Sequence, residues 1–222
     1  MSEKVLGVLW DLDGVLVDTG EYHYQAWSAT FAELNVPFDR QTFRATFGMN
    51  NRGILTFIIG EEPKEDFLQK VSERKESLFR QSIRGQVKPL PGVLTWLERL
   101  ALLGARQVVA SSAPPENIEA LIDELCLRAY FPVLLSGFDL PGKPQPDTFL
   151  KAASLINVPP AQCVVIEDSV AGVEAARRAG MKCIAVTTTN PASKLSTAEL
   201  IVESLDQLPR DIFDKIIFSA KV

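Results

Sequence analysis

Short apolar runs rich in β-branched residues alternate with helical stretches through the second half of the chain. Leu94 to Leu103 has helical spacing, opened by Pro91-Gly92 and closed by Gly104. Gln107-Val108-Val109-Ala110 predicts a strand, Ile118 to Leu125 a helix, and Val133-Leu134-Leu135 a strand. Pro146 to Ile156 predicts a helix with proline in its first turn, where the missing N–H costs nothing. Cys163-Val164-Val165-Ile166 predicts a strand, Val170 to Ala179 a helix stopped by Gly180, Cys183 to Thr187 a strand, and Leu200-Ile201-Val202 a last one. Buried runs alternating with helices mean a parallel sheet covered on both faces, an α/β, Rossmann-like core.

The first half departs from that rhythm. Val5 to Trp10 predicts an opening strand, but residues 19–86 hold no convincing second one. Apolar residues recur there at helical spacing: Trp27, Phe31 and Leu34, then Leu55, Ile58 and Ile59, then Phe67, Val71 and Leu78. A helical cap inserted between the first and second strands accounts for this, with residues 1–17 and 88–222 forming the core and 18–87 the insertion. Its two short linkers, near Val17–Gly20 and Gly85–Pro89, predict a hinge.

At 222 residues the chain is long enough for one core with an appendage. It carries 23 lysines and arginines against 28 acids, a net charge of −5, with no long basic run. That argues against a nucleic-acid surface. Three widely spaced cysteines and one histidine suit neither a zinc site nor a disulfide framework. Reduced thiols and a cytoplasmic setting are expected. The first apolar run is broken by Asp11, too early for a secretory signal, and no apolar stretch is long enough for a membrane span.

Chemistry gathers at the predicted strand ends. Asp11-Leu12-Asp13-Gly14-Val15 follows the first strand. On an extended backbone, Asp11 and Asp13 point the same way, and two convergent carboxylates call for a hard cation. An EF-hand calcium loop is excluded, since Leu16 and Tyr22 stand where that loop needs glycine and glutamate. Ser111-Ser112 ends the second strand, Lys143-Pro144 lies beyond the third, and Glu167-Asp168-Ser169 ends the fourth. Each has an ordinary structural reading as turn, solvated lysine or helix cap. Together they put acids, a hydroxyl and a lysine at one edge of one sheet, where open α/β sheets bind ligands.

These motifs, with Gly172, resemble those of the haloacid dehalogenase-like hydrolase superfamily, and the likeness covers essentially the whole chain. The resemblance implies Asp11 as a nucleophile forming an aspartyl-phosphate and Asp13 as general acid and then base. It implies Mg²⁺ held by Asp11, the Asp13 carbonyl and Asp168, with Glu167 supporting through water. Ser111 and Lys143 would hold the transferring oxygens, and Ser112, Arg52 and His23 would join the substrate- and phosphate-binding set.

Asp18 to Trp27 resembles the hinge segment of the β-phosphoglucomutase and sugar-phosphate phosphatase subgroup. There His23 either helps hold Asp13 or packs as an ordinary helix residue. Two departures favour hydrolysis over mutase chemistry. Arg52, in the cap loop Gly48–Gly53, sits one position from the mutase's cap arginine, where Asn51 stands. No lysine follows Ser111 within Ser111-Ser112-Ala113-Pro114-Pro115. The expectation is a Mg²⁺-dependent phosphatase of a small phosphorylated metabolite, a sugar phosphate, acting as a monomer. The alternatives are a phosphosugar mutase and a non-catalytic binding module.

Overall fold

A computed structural model of the chain describes residues 5–46 and 49–218. It divides into two compact units, one of Met1–Asp18 with Lys88–Val222, the other Thr19–Val87. Gly48, the start of the expected cap loop, lies outside the described residues.

The first unit is built on six strands: β1 Gly7–Trp10, β2 Arg106–Ser111, β3 Val133–Ser136, β4 Cys163–Glu167, β5 Lys182–Val186 and β6 Leu200–Val202. All pair in parallel, in the order β3-β2-β1-β4-β5-β6. Every residue of β1 and β4 is buried, as expected of central strands covered on both faces. Leu9, Val108 and Val165 share one apolar cluster with Phe149, Ala152, Val173 and Ala176. The strand order reverses between β1 and β4, so the crevice beyond their C-terminal ends is the topological switch point where such sheets take ligands.

The second unit contains α1 Gly20–Glu33, α2 Arg40–Thr46, α3 Asn51–Ile59 and α4 Glu65–Ser82, and no strand among its described residues. Trp27, Phe31, Ile54, Leu55, Leu68 and Val71 form its core, with Trp27 and Phe31 stacked at 5.1 Å. The Asn50 side chain accepts from the Gly53 N–H at 2.8 Å and caps α3. Asn51 to Gly53 are therefore the first turn of a helix, where a loop was expected. The remaining helices, α5 Val93–Leu102, α6 Pro115–Glu124, α7 Asp147–Leu155, α8 Val170–Arg178 and α9 Ile212–Phe218, belong to the first unit. No helix among the described residues is long and apolar enough to cross a membrane.

Candidate active site

β1 stops at Trp10, but Asp11 stays on the sheet edge because its N–H donates to the Ile166 carbonyl at 3.0 Å. The chain then leaves the extended conformation. Leu16 N–H donates to Leu12 O at 2.9 Å, Gly14 N–H to Val17 O at 2.7 Å, and Asp13 bridges to Val17. A tight turn, not the extended backbone expected, presents Asp13. The turn needs Gly14, whose φ is +83° and whose notional Cβ would lie 1.9 Å from Asp168 Oδ2. Asp11 is buried and Asp13 partly so.

Lys143 ties two strand ends together. Its Nζ donates to Asp11 Oδ1 at 2.5 Å and to Glu167 Oε1 at 2.6 Å. The other Glu167 oxygen accepts from the N–H of Asp168 and of Ser169, both at 2.8 Å, and from Ser169 Oγ at 2.9 Å. Ser169 in turn caps α8 by accepting from Gly172 N–H at 2.9 Å. A Cβ on Gly172 would meet Glu167 Oε1 at 1.7 Å, so only glycine fits there. Both Glu167 oxygens are thus taken by protein donors. Glu167 thereby shapes the β4–α8 turn.

The charge balance of this edge is uneven. Burial, with Glu167 and Asp13 adding repulsion, pushes the Asp11 carboxyl up to about 7 against the pull of Lys143. Burial, then Glu167 and Asp11, likewise holds the Asp168 carboxyl well above its ordinary range, opposed by a hydrogen bond from Thr189 and by Lys143. Burial works against the Lys143 ammonium, but Asp11 and Glu167 on either side keep it firmly charged. Among the described residues, Asp11, Glu167 and Asp168 therefore gather around the Lys143 ammonium, and further positive charge would stabilise the ionised forms of Asp11 and Asp168.

The donor set suits Mg²⁺. Among the described residues no three Asp, Glu, His or Cys side chains form a ready-made metal cage. Mg²⁺ needs none: it takes one or two carboxylates and keeps several waters. Asp11 and Asp168 supply hard oxygen donors, and Gly14 keeps the space beside Asp168 free of a side chain.

The other sequence-predicted residues are placed as follows. Ser111 is buried at the end of β2, and its Oγ accepts from Ala113 N–H at 3.1 Å; Ser112 is exposed. Gly137 N–H donates to Ser111 O at 2.7 Å, tying the β3 end to the same edge. Arg52 and His23 belong to the second unit. The Arg52 guanidinium donates to Glu62 and Glu65, both at 2.8 Å. His23 stacks on Phe79 at 4.0 Å, and its Nδ1 is 3.0 Å from Lys75 Nζ.

Two groups escaped the sequence reading. Thr189 Oγ donates to Asp168 Oδ2 at 2.6 Å, and Asn190 Nδ2 donates to the Asp168 carbonyl at 3.2 Å. A polar run closing the β5 strand, at the edge already rich in motifs, was the available signal. In the second unit, buried Lys75 donates to Glu76 Oε1 at 2.9 Å, which also accepts from Asn51 Nδ2 at 2.9 Å. Adjacent charges within a helix gave no signal of burial.

The family described as haloacid dehalogenase-like hydrolase matches residues 8–186. A β-phosphoglucomutase of Bacillus subtilis is 32% identical, over 92% of each chain. The fructose-1-phosphate phosphatase YqaB of Escherichia coli is 32% identical, over 84% of this chain and 98% of its own. A crystal structure of CbbY from Rhodobacter sphaeroides with xylulose-(1,5)bisphosphate superposes with a TM-score of 0.83 at 26% identity, covering 92% of this chain and 96% of that one.

Proposed function

The chain belongs to the haloacid dehalogenase-like hydrolase family and is a phosphoric monoester hydrolase, and from that premise we propose that it is a Mg²⁺-dependent phosphatase of a small sugar phosphate, working in the cytoplasm. The observation that carries this reading is the Asp11–Lys143–Glu167 cluster at the switch point, with Asp168 beside it.

In this reading Asp11 attacks phosphorus and the ester oxygen leaves as an alkoxide, which takes a proton from Asp13. Asp13, now ionised, removes a proton from water, and the resulting hydroxide attacks the aspartyl-phosphate, releasing inorganic phosphate and restoring Asp11. Lys143 and the Ser111 edge hold the phosphoryl oxygens, so that charge growing on them meets fixed donors. Asp11 and Asp168 would hold Mg²⁺, which when bound offsets the repulsion between the Asp11 carboxylate and a phosphate dianion. The second unit would act as the cap that selects the substrate.

A mutase reading is favoured by the likeness to the Bacillus subtilis enzyme. It needs a second phosphate gripped far from the nucleophile, and the residues offered for that are Arg52, engaged by two glutamates, and Asn51, engaged by Glu76. Hydrolysis is therefore preferred. The test is phosphate release from a panel of sugar phosphates, run beside β-glucose 1-phosphate with a bisphosphate primer. Release of phosphate from a sugar phosphate with little glucose 6-phosphate supports the phosphatase. Quantitative isomerisation without net release overturns it in favour of the mutase.

A further inference from the structure

The loop after β5 contributes a group that none of the motifs accounts for. Thr189 Oγ lies 2.6 Å from Asp168 Oδ2 and 3.1 Å from the Asp168 carbonyl. Asn190 Nδ2 lies 3.0 Å from Thr189 Oγ and 3.2 Å from the same carbonyl. A hydroxyl has one proton and accepts as well. With Asn190 donating to it, the Thr189 oxygen turns its own proton toward Asp168. The result is a directed chain, Asn190 to Thr189 to Asp168, on a carboxylate that is 3% exposed. On the other side of that carboxylate, Gly14 approaches so closely that its notional Cβ would fall 1.9 Å from Oδ2 and 3.2 Å from the Thr189 methyl. Oδ2 is thus held between a backbone and a hydroxyl, and Oδ1 accepts no hydrogen bond among the described residues.

From this arrangement we infer that Thr189, oriented by Asn190, is a positioning residue that fixes the rotation of the Asp168 carboxylate and reserves its Oδ1 for a divalent cation. The inference rests on Asp168 being a Mg²⁺ ligand. Partners of this kind orient a ligating carboxylate without touching the metal, and their loss weakens metal binding about 10- to 100-fold.

Calorimetric titration of the full-length protein with Mg²⁺ alone, with no substrate present, tests this. Thr189→Val keeps the shape and removes the donor; the expected result is a Mg²⁺ dissociation constant raised about 10-fold. Thr189→Ser keeps the donor and should bind close to wild type. Asn190→Ala should shift affinity in the same direction by less, and it serves if the valine variant does not fold. Asp168→Asn is the control for the underlying reading and should lose binding. If wild type and Asp168→Asn bind Mg²⁺ alike, the metal assignment fails and this inference falls with it. If Asp168→Asn loses binding but Thr189→Val and Asn190→Ala keep wild-type affinity, the metal assignment stands and this inference alone is overturned. Weakening by Thr189→Ser with wild-type affinity in Thr189→Val would assign the effect to methyl packing and also overturn it.

Discussion

Both units bury charge, and they do it in opposite ways. In the helical unit, Lys75 and Glu76 have side chains 4% and 8% exposed and pair at 2.9 Å. Asn51, His23 and the rings of Trp27 and Phe79 surround the pair. There an ammonium and a carboxylate meet directly. At the sheet edge, among the described residues, Asp11, Glu167 and Asp168 share the Lys143 ammonium. Breaking such a buried pair on one side costs stability. An excess of buried like charge is unfinished, and its energy is recovered only when a cation or a substrate arrives. Burial of charge alone therefore does not mark a site; the imbalance does.

The sharpest way to break this contrast is to neutralise the excess. Asp11→Asn keeps the shape, lowers the repulsion and removes the nucleophile. Turnover of a sugar phosphate should fall by at least ~10³-fold, while the melting temperature in chelator holds or rises. A variant with wild-type turnover would remove Asp11 from the chemistry.

The helical unit should respond the other way. Lys75→Met takes the adjacent ammonium from the buried Glu76 carboxylate, and a buried pair broken on one side costs about 3–5 kcal/mol. Chemical denaturation should show that loss, and Lys75→Met with Glu76→Leu should recover most of it. If the single substitution leaves stability unchanged, the pair does not hold the helical unit together.

A smaller effect separates the two regions by pH. The folded Asp11 carboxyl is raised to about 7, above the ordinary ~3.9. Its contribution to stability is therefore complete at low pH and is lost as pH rises through about 7. In chelator the melting temperature should fall between pH 5 and pH 8. Mg²⁺ at 100 times its dissociation constant should add about 2.7 kcal/mol, roughly 5–10 °C for a chain of this length, and should do so more at pH 8 than at pH 5. A melting temperature insensitive to Mg²⁺ at every pH would contradict the imbalance.

The smallest change is expected at Arg52. Its ion pairs with Glu62 and Glu65 are exposed, and exposed pairs add little. Arg52→Ala should leave the melting temperature within error and raise KM more than it lowers kcat. Loss of isomerase activity in this variant, had the wild type shown any, would restore Arg52 as a phosphate grip.

Much of this was legible in the sequence for identifiable reasons. Runs such as Cys163 to Ile166 are short, β-branched and bounded by turn residues, so strand and helix alternation reads directly. The acids at 11, 167 and 168 stand immediately after such runs, which places them on one edge with no knowledge of distance. What did not read was set by tertiary packing or by turn geometry. Lys75-Glu76 looks like a solvated helix face until Phe79 and Trp27 cover it. Thr189 ends a row of threonines that resembles any polar turn. The α3 start was visible in principle, since Asn50 is a good cap, yet Asn51-Arg52-Gly53 reads as loop because glycine in a first turn suggests one. The turn at Gly14 replaced an extended backbone for the same kind of reason: beside its positive φ lies Asp168, too close for a side chain, a contact that sequence spacing does not contain.

The account stands or falls on a covalent bond to Asp11. Acid quenching of the Mg²⁺-loaded protein during turnover of a sugar phosphate, followed by peptide mass spectrometry, reads it directly. The account predicts a phosphoryl adduct on the peptide carrying Asp11, absent from Asp11→Asn. Steady phosphate release with no adduct there, or with the adduct on another residue, would contradict it.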